Sequence, residues 1–175
     1  MVRTFAFIDL CGFTGYTEDR GLPAAVEVLN HLRSTVQPLT ERHLVRIAKW
    51  VGDGALLCGP DPEQVSRCVI EVRDAVAATG PLPLRGGIAQ GQAVLFEGDD
   101  YVGAAVNTAA RLVQRARRNQ VLATADVAAH LDGLVTLRPC PPLRPSPRGA
   151  LVEVRELLVA RGYGSQALCP QPSRA

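Results

Sequence analysis

The chain has 175 residues, 47% of them hydrophobic and 21% charged, with a formal net charge of +2. That length suits one domain with a hydrophobic core, and so small a net charge gives composition no case for nucleic acid as a partner. No run of about 18 apolar residues occurs, so no membrane span is expected, and Met1 stands too close to the first apolar run to leave room for a signal peptide.

Residues 3–9, RTFAFID, read as a strand buried on both faces and closed by Asp9. Gly12 and the Thr/Gly/Thr cluster behind it predict a turn. From about Pro23 to Arg42, helical spacing puts Val26, Leu29, Leu32 and Val36 on one stripe, with Pro38 expected to kink or end the helix. HLVRIAKWV and ALLCG read as strands joined at GDG, a strong hairpin signal. Trp50 alternates with Lys49 and is expected to face a helix, while His43 reads as structural or exposed. Asp61 and Pro62 open a second helix that Gly80 closes. LPLRGGIAQGQAVLFEG predicts two strands with a glycine-punctuated turn, and VGAAVNTAARLVQRARRN a third helix. QVLATADVAAHL gives a short strand and a short helix. LVTLRP and ALVEVRELLV are expected strands joined by the proline-rich PCPPLRPSPRG. One domain is expected over 1–162, with 163–175 a disordered tail. Cys11, Cys58, Cys68, Cys140 and Cys169 are scattered, with no CxxC pair. Reduced thiols in a cytoplasmic protein fit them better than disulfides or a zinc site.

The order β-α-β-β-α-β predicts an α+β fold: a ferredoxin-like, palm-type βαββαβ core with additional C-terminal strands and a helix. In that topology the first two strands run the same way, so the GDG tip lies at the end of the sheet that carries Asp9. Asp9 and Asp53 then converge at one rim. Carboxylates without neighbouring histidines suit hard cations, Mg²⁺ or Mn²⁺. Two such ions clamp the attacking and leaving oxygens of an in-line displacement on phosphate. The backbone N–H groups of the turn at Gly12 offer a cradle for a triphosphate. Read alone, Asp9 merely ends a strand and Asp53 merely fills a D-G turn. Asp9, behind four apolar residues, is the better functional candidate.

Four segments resemble motifs of the class III adenylate/guanylate cyclase catalytic domain, in the right order over residues 5–112. FAFIDLCGFTGYT is similar to its F-x-D-[IL]-x-G-F-T, KWVGDGALL to K-x-x-G-D, RGGIAQGQAV to R-x-G-I-x-x-G, and GDDYVGAAVNTAARL to G-D-x-x-G-x-x-V-N-x-A-[AS]-R-L. The resemblance implies that Asp9 and Asp53 bind two metal ions per active site. It implies that the turn of Leu10, Cys11, Gly12, Phe13 and Thr14 holds the phosphates, and that Arg85 lies near the triphosphate. Lys49 and Asp100 match the purine-reading pair. Lys only donates, which suits adenine N1, and a carboxylate accepts from the 6-amino group, so the pair implies ATP. Asn107 would orient the ribose and Arg111 would offset charge on the reacting phosphate. The two are four residues apart and share a helix face, although Arg111 also reads as one more solvated cation near a helix C-terminus.

The family's sites form between two chains, which implies a homodimer with two equivalent sites. The resemblance breaks near the last strand, where the family carries a triphosphate-binding lysine and this chain has LRPSPRGALVEV. Arg144 or Arg148 is the candidate replacement. The expected function is therefore adenylate cyclase, ATP to 3′,5′-cyclic AMP and pyrophosphate by two-metal in-line attack. The alternative is a catalytically weak or inactive cyclase-homology module that binds nucleotide or a partner. Diguanylate synthesis ranks lower, because the hairpin reads VGDGALL and not G-G-[DE]-E-F. No GxxxxGK[ST] of a P-loop occurs.

Overall fold

The N-terminal apolar run forms strand β1 (Val2–Leu10), and the rest of the sheet is built outward from it. A computed structural model describes residues 1–98, 100–131, 133–147 and 149–159. The expected domain boundary at 162 and the tail behind it lie outside the described residues. After β1 come α1 (Phe13–Arg42), β2 (Arg46–Val51), β3 (Gly54–Gly59), α2 (Pro62–Thr79) and β4 (Leu84–Gln92). Then follow β5 (Val94–Phe96), β6 (Asp100–Val102), α3 (Ala104–Arg115), β7 (Val121–Thr124), α4 (Ala125–Ala129), β8 (Val135–Leu143) and β9 (Val152–Val159). The main sheet has the order β2-β3-β1-β4-β7-β9-β8, and β5 and β6 form a separate hairpin. The four strands β2-β3-β1-β4, with α1 and α2, are the expected split βαβ core. Strand β1 is antiparallel to both β3 and β4, β4 is parallel to β7, and β9 is antiparallel to β7 and β8.

Alternation along β1 feeds two cores. Ala6, Ile8 and Leu10 pack with Val28, Leu32 and Val36 of α1 and Val65, Val69 and Val76 of α2. Phe5 and Phe7 face the other side, with Ala105, Val106 and Ala109 of α3. Helices therefore cover both faces of the central strands, which is why the segment reads as a continuous apolar run. No helix among the described residues is long and apolar enough to cross a membrane.

Several local expectations need correction. The turn after β1 is confined to Cys11 and Gly12, and α1 begins at Phe13, ten residues before Pro23. Within it Gly12 stands at φ 86°, a left-handed conformation that suits glycine. Phe13 and Tyr16 hold this first segment against the core. The helix breaks at Gly21 and restarts at Pro23, a residue suited to a first helical turn. Its buried stripe is Ala25, Val28, Leu32 and Val36, so Val26 is 54% exposed and not in the core. Pro38 does not end the helix, which runs on to Arg42 because buried Val36 and Thr40 keep that turn on the sheet. The glycines of β4 make no turn: β4 is one nine-residue strand, and β5 pairs with β6 instead. Helix α3 stops at Arg115, before Arg117 and Arg118. Strand β8 runs through Pro139, Pro141 and Pro142, where the sequence suggested a linker. It is an edge strand, with a register shift between Cys140 and Leu143, and an edge tolerates residues without an N–H.

Helix α3 sits close to β4 because Gly87 has no side chain. A Cβ there would strike the Val113 nitrogen and the Ala109 carbonyl oxygen of the helix backbone. Gly87→Ala should therefore lower stability by about 1–3 kcal/mol, the usual cost of overpacking. Gly15→Ala, at a helical position with open space around it, should raise stability by up to about 1 kcal/mol. Urea denaturation midpoints of the two variants check both signs.

Candidate active site

The end of β1 carries the first cluster. Asp9 pairs across the sheet with Gly54 on one side and Arg85 on the other. The Leu10 N–H donates to the Asp53 carbonyl at 3.2 Å, so the hairpin tip meets β1 where the topology required. Both carboxylates thus stand at one rim. Arg85 donates from Nε (2.9 Å) and Nη2 (2.6 Å) to Asp9 Oδ2, and from Nη1 to the Gln114 carbonyl at 3.4 Å. Burial pushes the Asp53 carboxyl above its ordinary range, and the charge of Asp9 adds to the shift. The Asp53 backbone N–H and Arg85 pull it back by less. Burial likewise pushes the Cys11 thiol up, against a smaller pull from Arg85. Cys11 is therefore a protonated thiol and not a thiolate ligand at neutral pH.

These residues fit a hard divalent cation. Two oxygen-donor carboxylates repel each other there, and a guanidinium already occupies the cation's place beside Asp9. Among the described residues no group of three or more His, Cys, Asp or Glu gathers as a metal site. The rim is a two-carboxylate site whose remaining ligands would be water and phosphate oxygens, the usual arrangement for Mg²⁺.

Behind the rim, the turn leads into the N-terminus of α1. The Cys11 N–H donates to the Pro83 carbonyl at 2.8 Å, and the Leu10 N–H is bonded to Asp53. Of the five turn residues, Gly12, Phe13 and Thr14 therefore head the helix with N–H groups that have no partner within it. Gly15 belongs with them, a position sequence reasoning passed over. Such a helix start favours an anion.

The second cluster joins two distant segments. Lys49 Nζ lies 2.9 Å from Asp100 Oδ1. A bulge in β2 makes this possible. Ile47 pairs with Leu57 and Lys49 with Leu56, so Ala48 is an extra residue and the strand changes phase. Without it, Lys49 would follow Ile47 onto the face covered by α1 and α2. With it, Lys49 shares the opposite face with Leu56, and Trp50 turns toward α1, where Arg33 lies 5.2 Å from its ring centroid. Asp100 is set by its neighbour. Tyr101 packs edge-on against Phe5, with ring centroids 5.2 Å apart, and hydrogen-bonds Cys58, pinning the β5–β6 hairpin to the sheet. The only signal for this anchor in the sequence was an aromatic directly after the acid. His43, at the end of α1, is buried, with Nδ1 at 3.1 Å from Gln64 Oε1.

The third cluster lies on α3. Ala105, Val106, Thr108, Ala109, Leu112 and Val113 are buried, so Asn107 and Arg111 point away from the sheet. They line a groove of about 390 Å³ with Ala104, Ala110, Gln114, Pro145 and Ser146. Arg144, beside that groove wall, donates to the Gly149 carbonyl at 2.7 Å. Arg148 lies outside the described residues.

No family model matches the chain. An uncharacterized protein of Mycobacterium tuberculosis is 31% identical over 122 residues, covering 69% of this chain and 32% of that protein. Adenylate cyclase 2 of Rhizobium meliloti is 32% identical over 158 residues, covering 78% of this chain and 44% of that protein. The chain thus spans a third to less than half the length of the curated relatives it matches. Solved structures share its shape. The adenylyl cyclase CyaB of P. aeruginosa gives a TM-score of 0.76 at 19% identity, covering 92% of this chain and 95% of that one. The guanylate cyclase domain of RhGC from Catenaria anguillulae, in complex with GTP, gives 0.78 at 18% identity, covering 90% and 96%. The chain has the catalytic-domain fold of the class III adenylyl and guanylyl cyclases. Both kinds share this fold, so backbone shape does not distinguish them.

The rim makes a prediction of opposite signs. An acid whose folded pKa exceeds its unfolded value loses stability as pH rises through that interval. At neutral pH, without metal, Asp53 is a net cost, and Asp53→Asn should raise the melting temperature. The gain should vanish below about pH 4, where the unfolded carboxyl is itself protonated. Asp9→Asn should lower the melting temperature, because it removes the partner of half-buried Arg85. Thermal denaturation of both variants in chelator, across pH, checks the pair.

Proposed function

We propose that the chain is an adenylate cyclase domain, converting ATP to 3′,5′-cyclic AMP and pyrophosphate, with its active sites between two copies of itself. The observation that carries the purine choice is the Lys49–Asp100 pair at 2.9 Å. A lysine that only donates and a carboxylate that only accepts form one edge, complementary to adenine N1 and its 6-amino group. Guanine offers O6 and N1–H and needs the reverse. The name of the Rhizobium meliloti relative agrees with this reading.

Asp9 and Asp53 are the residues that would hold two Mg²⁺ or Mn²⁺ ions. When bound, such ions supply Lewis-acid activation of the ribose 3′-hydroxyl and charge neutralisation on the triphosphate. The start of α1, from Gly12 to Gly15, receives phosphate oxygens with its N–H groups. Asn107 orients the ribose. Arg111 offsets the charge that builds on the α-phosphate as the 3′-oxygen attacks and pyrophosphate leaves. The outward direction of Asn107 and Arg111 supports a homodimer, in which each copy presents this pair to the carboxylate rim of the other. The unpaired cysteines suit a cytoplasmic setting. A second reading, nucleotide binding without turnover, draws on the Arg85 grip on Asp9.

Purified protein with Mn²⁺ and ATP should form cyclic AMP, and Asp9→Ala should abolish it. An absence of product refutes the cyclase reading and favours the second, whereas full activity in Asp9→Ala overturns the metal-holding role given to Asp9. Arg111→Ala should lower kcat by about 10²–10³, the cost of losing one preorganised donor to developing charge. Lys49→Glu combined with Asp100→Gly should shift the kcat/KM preference from ATP toward GTP. An unchanged preference overturns the purine assignment alone.

A further inference from the structure

We propose that Arg85 is the resident counter-ion of the two-carboxylate rim, and that a divalent cation enters by exchanging with it at Asp9. The inference rests on the cyclase reading, in which that rim holds metal. It adds a positioning role to Arg85 before any nucleotide arrives.

The grip has an unusual form. A guanidinium and a carboxylate often pair fork to fork, two nitrogens on two oxygens. Here Nε and Nη2 converge on one oxygen, Oδ2 of Asp9, at 2.9 and 2.6 Å. The remaining nitrogen, Nη1, reaches only a long 3.4 Å contact with the Gln114 carbonyl. Arg85 is therefore held chiefly by the carboxylate that a metal would need. The Arg85 and Asp9 side chains are 29% and 26% exposed. Water screens this pair less than a surface pair, yet both groups remain open to an incoming ion.

A divalent cation and a guanidinium cannot both sit in contact with Oδ2 without strong mutual repulsion. Each must weaken the hold of the other. The backbone need not move for the exchange. Arg85 and Asp9 are direct partners in the β1–β4 ladder, so their Cα atoms are fixed and the long side chain can swing. Displaced from Asp9, it stays at the rim beside the start of α1, where phosphate would lie. Without metal, Arg85 keeps Asp9 oriented and offsets its repulsion with Asp53. With metal, it becomes available to the substrate.

The test is Mn²⁺ binding by the full chain without nucleotide, read as free Mn²⁺ by electron paramagnetic resonance. Arg85→Gln should bind Mn²⁺ about ten-fold more tightly than the unmodified chain, and should lose more melting temperature in chelator. Arg85→Lys separates exchange from a general charge effect and serves if Arg85→Gln fails to fold. It keeps the charge but loses the two-nitrogen grip, so exchange predicts tighter Mn²⁺ binding than in the unmodified chain. Binding by Arg85→Lys equal to or weaker than that of the unmodified chain overturns the exchange and leaves the cyclase reading standing. Failure of the unmodified chain and both variants to bind Mn²⁺ overturns the exchange and the metal-dependent reading together.

Discussion

Strand β1 is hydrogen-bonded along both edges, and that double pairing fixes every candidate position at its end. A strand with one free edge can slip. A strand clamped by β3 and β4 cannot shift one residue without exchanging its two faces. Such a slip would turn Phe5 and Phe7 into the α1–α2 core and expose Ile8 and Leu10 to α3. The apolar register thus holds Asp9 opposite Gly54 and Arg85 regardless of the electrostatic consequence. Two carboxylates are brought together by packing forces that have nothing to do with charge, and Arg85 offsets the resulting repulsion.

Where local chemistry decided structure, the sequence was legible. Asp61 caps α2 by accepting from the Glu63 N–H at 2.9 Å, Pro62 opens the helix, and Gly80 closes it, as their types indicated. The GDG hairpin followed from its turn residues. Where a distant contact decided, reading failed. The first segment of α1 is rich in Gly and Thr and has little propensity of its own. It is helical because Phe13 and Tyr16 find the core. The stripe of α1 was misjudged at Val26, since the break at Gly21 sets where the helix restarts and no spacing rule locates that break. The prolines of β8 were read as linker because an edge position is a property of the finished sheet.

The candidate site divides in the same way. The convergence of Asp9 and Asp53 followed from topology, since two parallel strands and one hairpin leave no other place for the tip. The partnership of Lys49 with Asp100 came from resemblance alone. Its physical basis is two features without a clear sequence signature. One is an extra residue, Ala48, that rotates Lys49 to the open face. The other is Tyr101, whose contacts with Phe5 and Cys58 hold a short hairpin that would be marginal by itself. The hold of Arg85 on Asp9 was not foreseen either. Nothing in RGGIAQG says that the arginine will sit beside the acid, and only the β1–β4 register does so.

Helix α3 carries the last constraint. Its buried face uses small residues, Ala105 and Ala109, against a strand that offers Gly87, so helix and sheet approach closely. That contact leaves no room for substrate between them and directs Asn107 and Arg111 outward. Arg85, held on Asp9, reaches the Gln114 carbonyl near the end of this helix, while Arg111 is exposed on its outer face. Under the cyclase reading, that exposed face is the one a second copy would meet. On the same reading, the close packing that stabilises the chain is also what turns its arginine toward a partner. Each copy would then carry a purine edge, a metal rim and an arginine, completed only by its partner.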